Sequence, residues 1–299
     1  MKKKSGFEKF YTEKKGAAKK EQFRQEKRKW KKEREESIEQ RKQKMIEKSQ
    51  PKIERQPSAV QMPLNKYIAH SGVCSRRDAV ELIKAGKVKV NGELITEPGH
   101  KISSNDEVKL AGKKIHPVKD LIYILLNKPK DYLTTTDDPQ QRKTVLDLIQ
   151  NATKERVYPV GRLDRNTSGV LLLTNDGELS QKLTHPSNEI RKVYAVTLNK
   201  PLDKKDFDAI LKGVPLENGM ANVDVLAYAD SSDKTQIGVE LHSGRNRIVR
   251  RIFEHFGYDV KNLDRVVFAG LTKKNIQRGK WRFLSEREVR NLKFFGKGK

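Results

Sequence analysis

The stretch GRLDRNTSGVLLLTNDG, at residues 161 to 177, decides how the rest of the chain is interpreted. Its first part holds one acid between two bases, with a glycine at each end: Asp164, Arg162, Arg165, Gly161 and Gly169. Its second part, residues 170 to 173, contains only Val and Leu, which is typical of a strand buried on both faces. An ordinary surface loop does not need this arrangement. A loop that must hold one carboxylate in place against a polyanion does.

Strand and helix patterns alternate through residues 119 to 293, on both sides of this stretch. Apolar runs or period-two alternation predict strands in LIYILLNKP, GVLLLTND, RKVYAVTL and QIGVEL. Helices are predicted in TVLDLI, DFDAILKGV, NRIVRRIFEHFG (with Asn246 as its N-cap) and VRNLKF, and from Gly177, capped by Asn175 or Asp176. These elements predict an α+β (mixed α/β) catalytic domain on a mixed, mainly antiparallel sheet.

Residues 61 to 118 are predicted to form a smaller unit before the catalytic domain. PLNKYIAHSG fits a short helix that ends at Gly72, and SRRDAVELIKAG fits a second helix. Ser75 and Asp78 are spaced for a reciprocal capping box at the start of the second helix. KVKVNGELIT predicts a hairpin with its turn at Asn91 and Gly92, and DEVKLAGKKI predicts a further strand pair.

Arg76 and Arg77 stand in the first turn of that second helix. Cations there oppose the helix dipole, at a cost of up to ~1 kcal/mol. Contact with phosphate would explain the placement, because a helix start also offers free backbone donors. From the residues alone, two solvated arginines explain it equally well.

The remaining segments are predicted to be basic tails. Residues 1 to 60 carry 21 Lys and Arg against 10 Asp and Glu. Apolar residues are sparse there and form no helical stripe, so we expect a disordered tail that attracts RNA without sequence preference. Part of it, EQFRQEKRKWKKEREESIEQRKQKMIEK, could become helical on a surface. Residues 294 to 299 are predicted to form a second, short basic tail.

The composition of the 299-residue chain narrows the class of protein. Its formal net charge of +25 favours a polyanionic partner, most often nucleic acid. The sequence has no apolar stretch near the ~18 residues of a spanning helix, and its N-terminus lacks the apolar core of a signal peptide. Cys74 is the only cysteine, the six histidines are scattered, and no glycine-rich phosphate-binding motif occurs. We therefore expect a cytoplasmic protein that faces nucleic acid, without a membrane, metal or cofactor.

Asp164 alone is ambiguous, because Asp in a glycine-bracketed loop is more often a turn former than a catalyst. The combination with an arginine-rich helix and with the arginine-bearing helix start of the smaller unit favours a catalyst. In that helix Arg247, Arg250 and Arg251 recur at i, i+3 and i+4, and guanidinium groups so placed favour carboxylate or phosphate partners. An anionic carboxylate among cations is a poor general acid and a better nucleophile or base.

Four segments resemble known families. NKYIAHSGVCSRRDAVELIKAGKVKVNGE is similar to the S4 RNA-binding domain, including its SRR helix start and its VNG turn. GRLDRNTSGVLLLTNDG resembles the catalytic motif of pseudouridine synthases, and NKPKDYLTTTDDP resembles the motif that precedes it. GRNRIVRRIFEHFGYDVKNLDRV looks like the third motif of their RsuA/RluB/RluE/RluF branch. Together these resemblances span roughly residues 63 to 290.

The resemblance implies an enzyme that isomerises uridine in RNA to pseudouridine, with no metal or cofactor. It implies that Asp164 is the essential aspartate and that Arg250 is the basic residue that pairs with it. It also implies that Tyr194, in RKVYAVTL, packs on the target base. Strand alternation alone leaves ordinary core packing as the alternative for Tyr194.

RNA contacts are predicted for arginines of both units: Arg76, Arg77, Arg162, Arg165, Arg245, Arg247 and Arg251. Arg162 would contact the RNA backbone or fill the space left by an extruded base, and an ion pair within the loop is the alternative. The segments EHFGYDV and GRNR look more like those of the large-subunit enzymes, which favours 23S rRNA as the substrate. The alternatives are 16S rRNA, a non-catalytic ribosome-assembly factor and an S4-type RNA-binding regulator.

Overall fold

The computed structural model describes residues 17–49 and 61–294. Its helices are α1 (Ala17–Ser49), α2 (Leu64–His70), α3 (Arg76–Lys84), α4 (Gly177–Thr184), α5 (Lys204–Lys212), α6 (Ile248–His255) and α7 (Glu286–Phe294). Its strands are β1 (Met62–Pro63), β2 (Val88–Val90), β3 (Glu93–Leu94), β4 (Lys101–Ile102), β5 (Val108–Leu110), β6 (Lys113–Lys114), β7 (Tyr123–Lys128), β8 (Tyr158–Pro159), β9 (Ser168–Thr174), β10 (Lys192–Leu198), β11 (Val214–Leu216), β12 (Gly219–Ala221), β13 (Val225–Tyr228), β14 (Gln236–Leu241), β15 (Val260–Phe268), β16 (Leu271–Thr272) and β17 (Trp281–Phe283). Short 3-10 turns lie at Asp147–Ile149 and Pro186–Asn188. The predicted C-terminal tail lies outside the described residues except for Phe294, which ends α7.

Helix α1 corrects the expectation of a disordered segment over residues 17 to 49. Lys, Arg, Glu and Gln dominate its sequence, Gly and Pro are absent from it, and these residue types have high helix propensity. Lys31 and Glu35, one helical turn apart with 4.0 Å between the charged atoms, add a small favourable term. The missing apolar stripe bears on whether a helix packs against a core, and it does not prevent a helix from forming. The predicted tail at residues 1–16 and 50–60 lies outside the described residues.

The S4-like segment builds a small core between two helices and short strands. Leu64 and Ile68 of α2 pack with Ala79 and Ile83 of α3 and with Val88 of β2. The predicted capping box is present, because the Ser75 hydroxyl accepts from the Asp78 amide at 3.2 Å and the Asp78 carboxylate accepts from the Ser75 amide at 3.1 Å. The turn between β2 and β3 has positive φ at both of its central residues, Asn91 and Gly92, as a two-residue hairpin of this type requires.

A large sheet forms the centre of residues 119 to 294. In this described part the sheet has nine strands, and its main path runs β13-β14-β10-β15-β9-β7-β17. Strand β8 pairs with β9, and β16 pairs with β15. Its pairings are antiparallel except for that of β15 with β9, which is parallel. The predicted mainly antiparallel mixed sheet is therefore confirmed.

Strand β9 lies inside this sheet and is buried along its whole length, as its apolar run predicts. Leu171 and Leu173 pack into one core with residues of β10, β14 and α6. Val170 and Leu172 pack into a second core with residues of α4 and α7. Each fully buried Leu contributes about 1.5–3 kcal/mol. The two cores fix β9 from both sides, and with it the start of the strand, where the glycine-bracketed loop ends.

Gly169 allows the close approach of β9 and β15 at their parallel pairing. Its φ is +114°, and a Cβ at this position would lie 2.1 Å from the Arg265 carbonyl oxygen. Any larger residue would push the two strands apart. The close contact holds the loop that contains Asp164 directly beside β15.

Candidate active site

A cavity of about 810 Å³ opens beside the loop that contains Asp164. Asp164 and Tyr194, which the resemblance places in one site, both line this cavity. Asp164 is half-buried, and within residues 17–49 and 61–294 its carboxylate forms no hydrogen bond or ion pair. A cavity of this size accommodates a nucleotide-sized ligand. The carboxylate is therefore available to a substrate.

Lys128, at the end of β7, contacts the backbone of the loop that contains Asp164. It is fully buried, and its Nζ donates to the carbonyl oxygens of Thr167 at 2.9 Å, Pro129 at 3.0 Å and Asp164 at 3.2 Å. A longer contact, of 3.4 Å, reaches the carbonyl of Arg165. Burial lowers the pKa of Lys128 to about 8, against the opposing charges of Asp131 and Asp164. One cation thus organises the loop backbone from Asp164 to Thr167.

The segment that follows Lys128 adds further contacts to the loop. The Thr134 hydroxyl donates to the carbonyl of Leu163 at 2.8 Å. The Asp131 amide donates to the carbonyl of Arg165 at 2.9 Å. The NKPKDYLTTTDDP motif therefore acts on the loop that contains Asp164 through backbone contacts.

Arg250 does not form the direct ion pair with Asp164 that the resemblance implies. It is buried in α6, where its Nη1 donates to the carbonyl of Val260 at 2.7 Å and its Nη2 donates to the carbonyl of Asn166 at 3.3 Å. Burial lowers the pKa of Arg250, and the charge of Asp164 partly opposes that shift. Arg250 therefore contacts the loop two residues after Asp164 and acts on the carboxylate through its field.

Tyr194 forms part of the cavity wall on β10. It is 9% exposed and belongs to the main core, so both sequence interpretations, core packing and contact with a base, fit its location. Lys192, two residues earlier, lines the same cavity and donates to the carbonyls of Ile190 and His242, each at 2.7 Å. Burial and the nearby charge of Arg265 lower the pKa of Lys192 to about 8.

Four of the arginines predicted to contact RNA differ in their exposure and in their partners. Arg162 is exposed and lines it, and no ion pair within the described residues engages it. Arg165 and Arg247 are exposed and form ion pairs, with Asp131 at 3.3 Å and Glu254 at 3.0 Å. Arg245 lines the cavity but donates to the carbonyls of Asn218, Gly219 and Met220, and so supports the β11–β12 hairpin.

Helix α6 differs from its predicted start and from its predicted charged edge. Its N-cap is Arg247, in the left-handed conformation with φ of 47°, and Asn246 precedes the cap. Arg250 is buried with the apolar face, whereas Arg251 pairs with Glu217 at 3.3 Å. The three arginines therefore do not share one RNA-facing edge.

Arg76 and Arg77 lie on the surface of the S4-like segment. Both side chains are exposed at the start of α3, and neither forms an ion pair within the part of the chain that the structure describes. Lys66 joins this segment to the catalytic one, because its Nζ donates to Glu178 at 2.8 Å. The placement of Arg76 and Arg77 is compatible with the predicted contact with phosphate.

Residues 17–49 and 61–294 contain no group of three or more His, Cys, Asp or Glu side chains arranged to hold a metal ion. No helix in these ranges is both long enough and apolar enough to cross a bilayer.

Sequence reasoning did not single out three cations at the site, the buried Lys128 and Arg265 and the half-buried Lys192. A signal for Lys128 was present, because a lysine within an otherwise apolar strand must find acceptors when it is buried. Arg265 gives a weaker signal, since β15 mixes polar and apolar residues without a regular alternation. Only the sheet order shows that its side chain lies at the cavity.

Comparison with known proteins agrees with these features. Residues 122–255 match the family described as RNA pseudouridylate synthase, and residues 62–108 match the S4 domain. The chain is 41% identical over 233 residues to ribosomal large subunit pseudouridine synthase B of Bacillus subtilis, which covers 77% of this chain and 95% of that protein. It is 36% identical over 231 residues to the dual-specificity RNA pseudouridine synthase RluF of Escherichia coli K12, with 77% of each chain covered.

A solved structure described as a pseudouridylate synthase is similar to the fold. Its TM-score is 0.56 at 27% sequence identity, and the match covers 77% of this chain and 99% of that one. The match extends over nearly all of the solved chain, so it reflects an overall similarity of architecture.

Proposed function

This chain belongs to the RNA pseudouridylate synthase family and is a pseudouridine synthase with an S4 domain, and from that premise we propose that it isomerises a uridine of 23S rRNA with Asp164 as its catalytic aspartate. The large-subunit name of the B. subtilis relative supports 23S over 16S rRNA. We further propose that the enzyme acts in the cytoplasm as a monomer, without a metal or cofactor.

The observation that carries the proposal is the partnerless carboxylate of Asp164 at the cavity. Lys128 and Arg250 hold the backbone of Asp164 and of the residues that follow it, yet no hydrogen bond or ion pair within the described residues engages the carboxylate itself. A residue that served only as a turn former would hydrogen-bond its own loop. Its availability therefore supports a role toward a substrate.

The chemistry assigns a distinct part to each group. The C1′–N1 bond of uridine breaks, the base turns, C5 bonds to C1′, and the C5 proton is replaced by a proton on N1. The anion of Asp164 can attack the sugar or remove a proton, and an amide at this position would do neither well. Tyr194 offers a ring face on which the turning base can stack. The exposed arginines would bind the phosphates around the extruded nucleotide.

Mapping of pseudouridines tests the proposal. Purified full-length protein, incubated with unmodified 23S and 16S transcripts and no added cofactor, should introduce pseudouridine at a defined 23S position. The same position should be unmodified in rRNA from a strain that lacks the gene. Modification confined to 16S rRNA would make that RNA the substrate, and modification of neither RNA, with binding retained, would favour the assembly-factor alternative.

A further inference from the structure

Arg265 is a buried cation with no acidic partner. It is 2% exposed, and its Nε donates to the carbonyl of Val170 at 2.9 Å. Its Nη2 is covered and has no hydrogen-bond partner, and no carboxylate within residues 17–49 and 61–294 lies in ion-pair range of it. A buried charge without a partner is costly, so such groups generally have a functional reason to be kept.

The nearest acid in sequence is already engaged. Asp264 accepts from Lys273 and is paired with Arg278 at 3.1 Å. Arg265 instead lies over the ring of Phe268, with 4.4 Å from its guanidinium carbon to the ring centroid. Lys192 adds a second partly desolvated cation nearby. This wall of the cavity therefore carries two cations that no carboxylate of the described residues pairs with, and the side chain of Tyr194 interacts favourably with one of them, Arg265.

The position of Arg265 selects the part of the substrate that it could contact. It lines the same cavity as Asp164 and Tyr194, and it is the residue paired with Tyr194 across β10 and β15. Because it is almost fully buried, an RNA backbone phosphate at the surface cannot reach it. A flipped base that stacks on Tyr194 would bring its carbonyl oxygens to this depth.

We infer that Arg265 hydrogen-bonds a carbonyl oxygen of the target uracil and stabilises the negative charge that the base carries during the reaction. When the C1′–N1 bond breaks, its electron pair stays on the uracil and spreads over N1 and the carbonyl oxygens O2 and O4. That charge is lost again when C5 bonds to C1′. A buried guanidinium is preorganised for such transient charge. This inference rests on the proposed function and adds a specificity-determining contact to it.

Single-turnover kinetics of the full-length protein test the inference, using an rRNA fragment that contains the target uridine in unmodified form. Arg265→Gln should slow the chemical step about 100-fold while the Kd for the fragment changes less than threefold. Arg265→Lys, which keeps charge but loses the planar fork, should slow it about tenfold. Arg282→Gln is the matched control, because Arg282 lies on β17 of the same sheet and pairs with Glu288; its rate should equal that of the wild type.

Sulfur substitution separates contact with the base from a purely structural role. Fragments with 2-thiouridine or 4-thiouridine at the target replace one oxygen with a poorer acceptor. One of the two should slow the wild type about tenfold and leave Arg265→Gln no slower than it already is. Equal sulfur effects in both proteins, or a rate of Arg265→Gln within threefold of the wild type, would overturn the inference.

The proposed function fails by a different result. If the wild type modifies no 23S position, or if Asp164→Asn remains active, the proposal for the substrate or for Asp164 is wrong whatever Arg265 does. If Arg265→Gln does not fold, the sulfur effect in the wild type and in Arg265→Lys decides. The inference then requires one thio substitution to slow the wild type clearly more than Arg265→Lys, and equal effects would reject it.

Discussion

The S4 segment and the cavity beside Asp164 use positive charge in opposite ways. Arg76 and Arg77 at the start of α3 are exposed and have no acidic partner in the described residues. Lys128 and Arg250 are buried and donate to backbone carbonyls around the Asp164 loop. An exposed cation is screened by salt and contributes one of many phosphate contacts, whereas a buried one fixes a geometry. The role of a cation in this protein therefore depends on whether its side chain is buried, and not on its positive charge alone.

The sharpest test of the comparison changes the acid that the buried cations surround. Asp164→Asn keeps the size of the side chain and removes its charge, so we expect normal folding and no pseudouridine formation above background. RNA affinity should hold or rise slightly, because a negative charge facing a polyanion is lost. Product mapping and a binding titration measure the two effects. Asp131→Asn is the control, because Asp131 is exposed beside the same loop. This variant should remain active.

The next largest effect is expected from the buried arginine. Arg250→Ala removes donors to Val260 and Asn166, so the loop should lose its fixed geometry and turnover should fall about 100-fold with RNA affinity nearly unchanged. Arg251→Ala removes the adjacent arginine, which is only half-buried and pairs with Glu217, and should change turnover less than threefold. If the two variants were equally impaired in kcat, burial would not distinguish their roles.

The lowered pKa of Lys128 allows the role of a buried cation to be tested by pH alone, with Asp164 and Arg250 unchanged. Its folded value of about 8 lies below the ordinary 10.5, so the unfolded chain binds more protons between these values and the free energy of unfolding should rise with pH there. Turnover should instead fall, up to about tenfold, because a neutral amine donates fewer hydrogen bonds to the loop. Lys192 titrates in the same range, so Lys128→Met is needed to isolate the effect.

In Lys128→Met the fall in turnover above pH 8 should disappear from an already reduced rate, and the rise in unfolding free energy should shrink. Lys130→Met, at the neighbouring exposed lysine, should keep both wild-type profiles. A wild-type turnover profile that stays flat to pH 10 would show that protonation of Lys128 does not control the loop.

The smallest effect is expected in the S4 segment. Replacing both Arg76 and Arg77 with Ala should raise KM for rRNA by about three- to tenfold and leave the single-turnover rate intact, as loss of uniform binding does. The slope of log K against log salt should become shallower by about two, because two fewer phosphates are neutralised. Lys84→Ala, at the other end of α3, is the control. A slower chemical step with normal KM would place these arginines in the catalytic machinery.

Local patterns predicted the elements well where the physics is local. The capping box at Ser75 depends on residues three apart, and the burial of β9 follows from its own apolar run. Helix α1 was expected only as a segment that becomes helical on a surface, because the absence of an apolar stripe was given more weight than helix propensity. The predicted boundaries of the tails, the S4 domain and the catalytic domain remain predictions.

Contacts between distant segments could not be predicted in the same way. The spacing of arginines in α6 does not show that Arg250 turns toward Asn166, because that depends on where the loop lies relative to the helix. The left-handed cap at Arg247 likewise arises from the chain path and not from a capping residue type. The roles of Lys128 and Arg265 became apparent only when β7, β9 and β15 were seen to be neighbours.

The contact at Gly169 also orders events during synthesis of the protein. Strand β9 gains its neighbour β15 only when a segment 95 residues farther along the chain has emerged, as the bond between Arg265 and Val170 illustrates. At about 5–20 residues per second, this delay is roughly 5–20 s. The S4 segment closes its own contacts within a much shorter span of chain. A nascent chain would therefore complete the S4 segment well before β15 is available to hold the loop that contains Asp164.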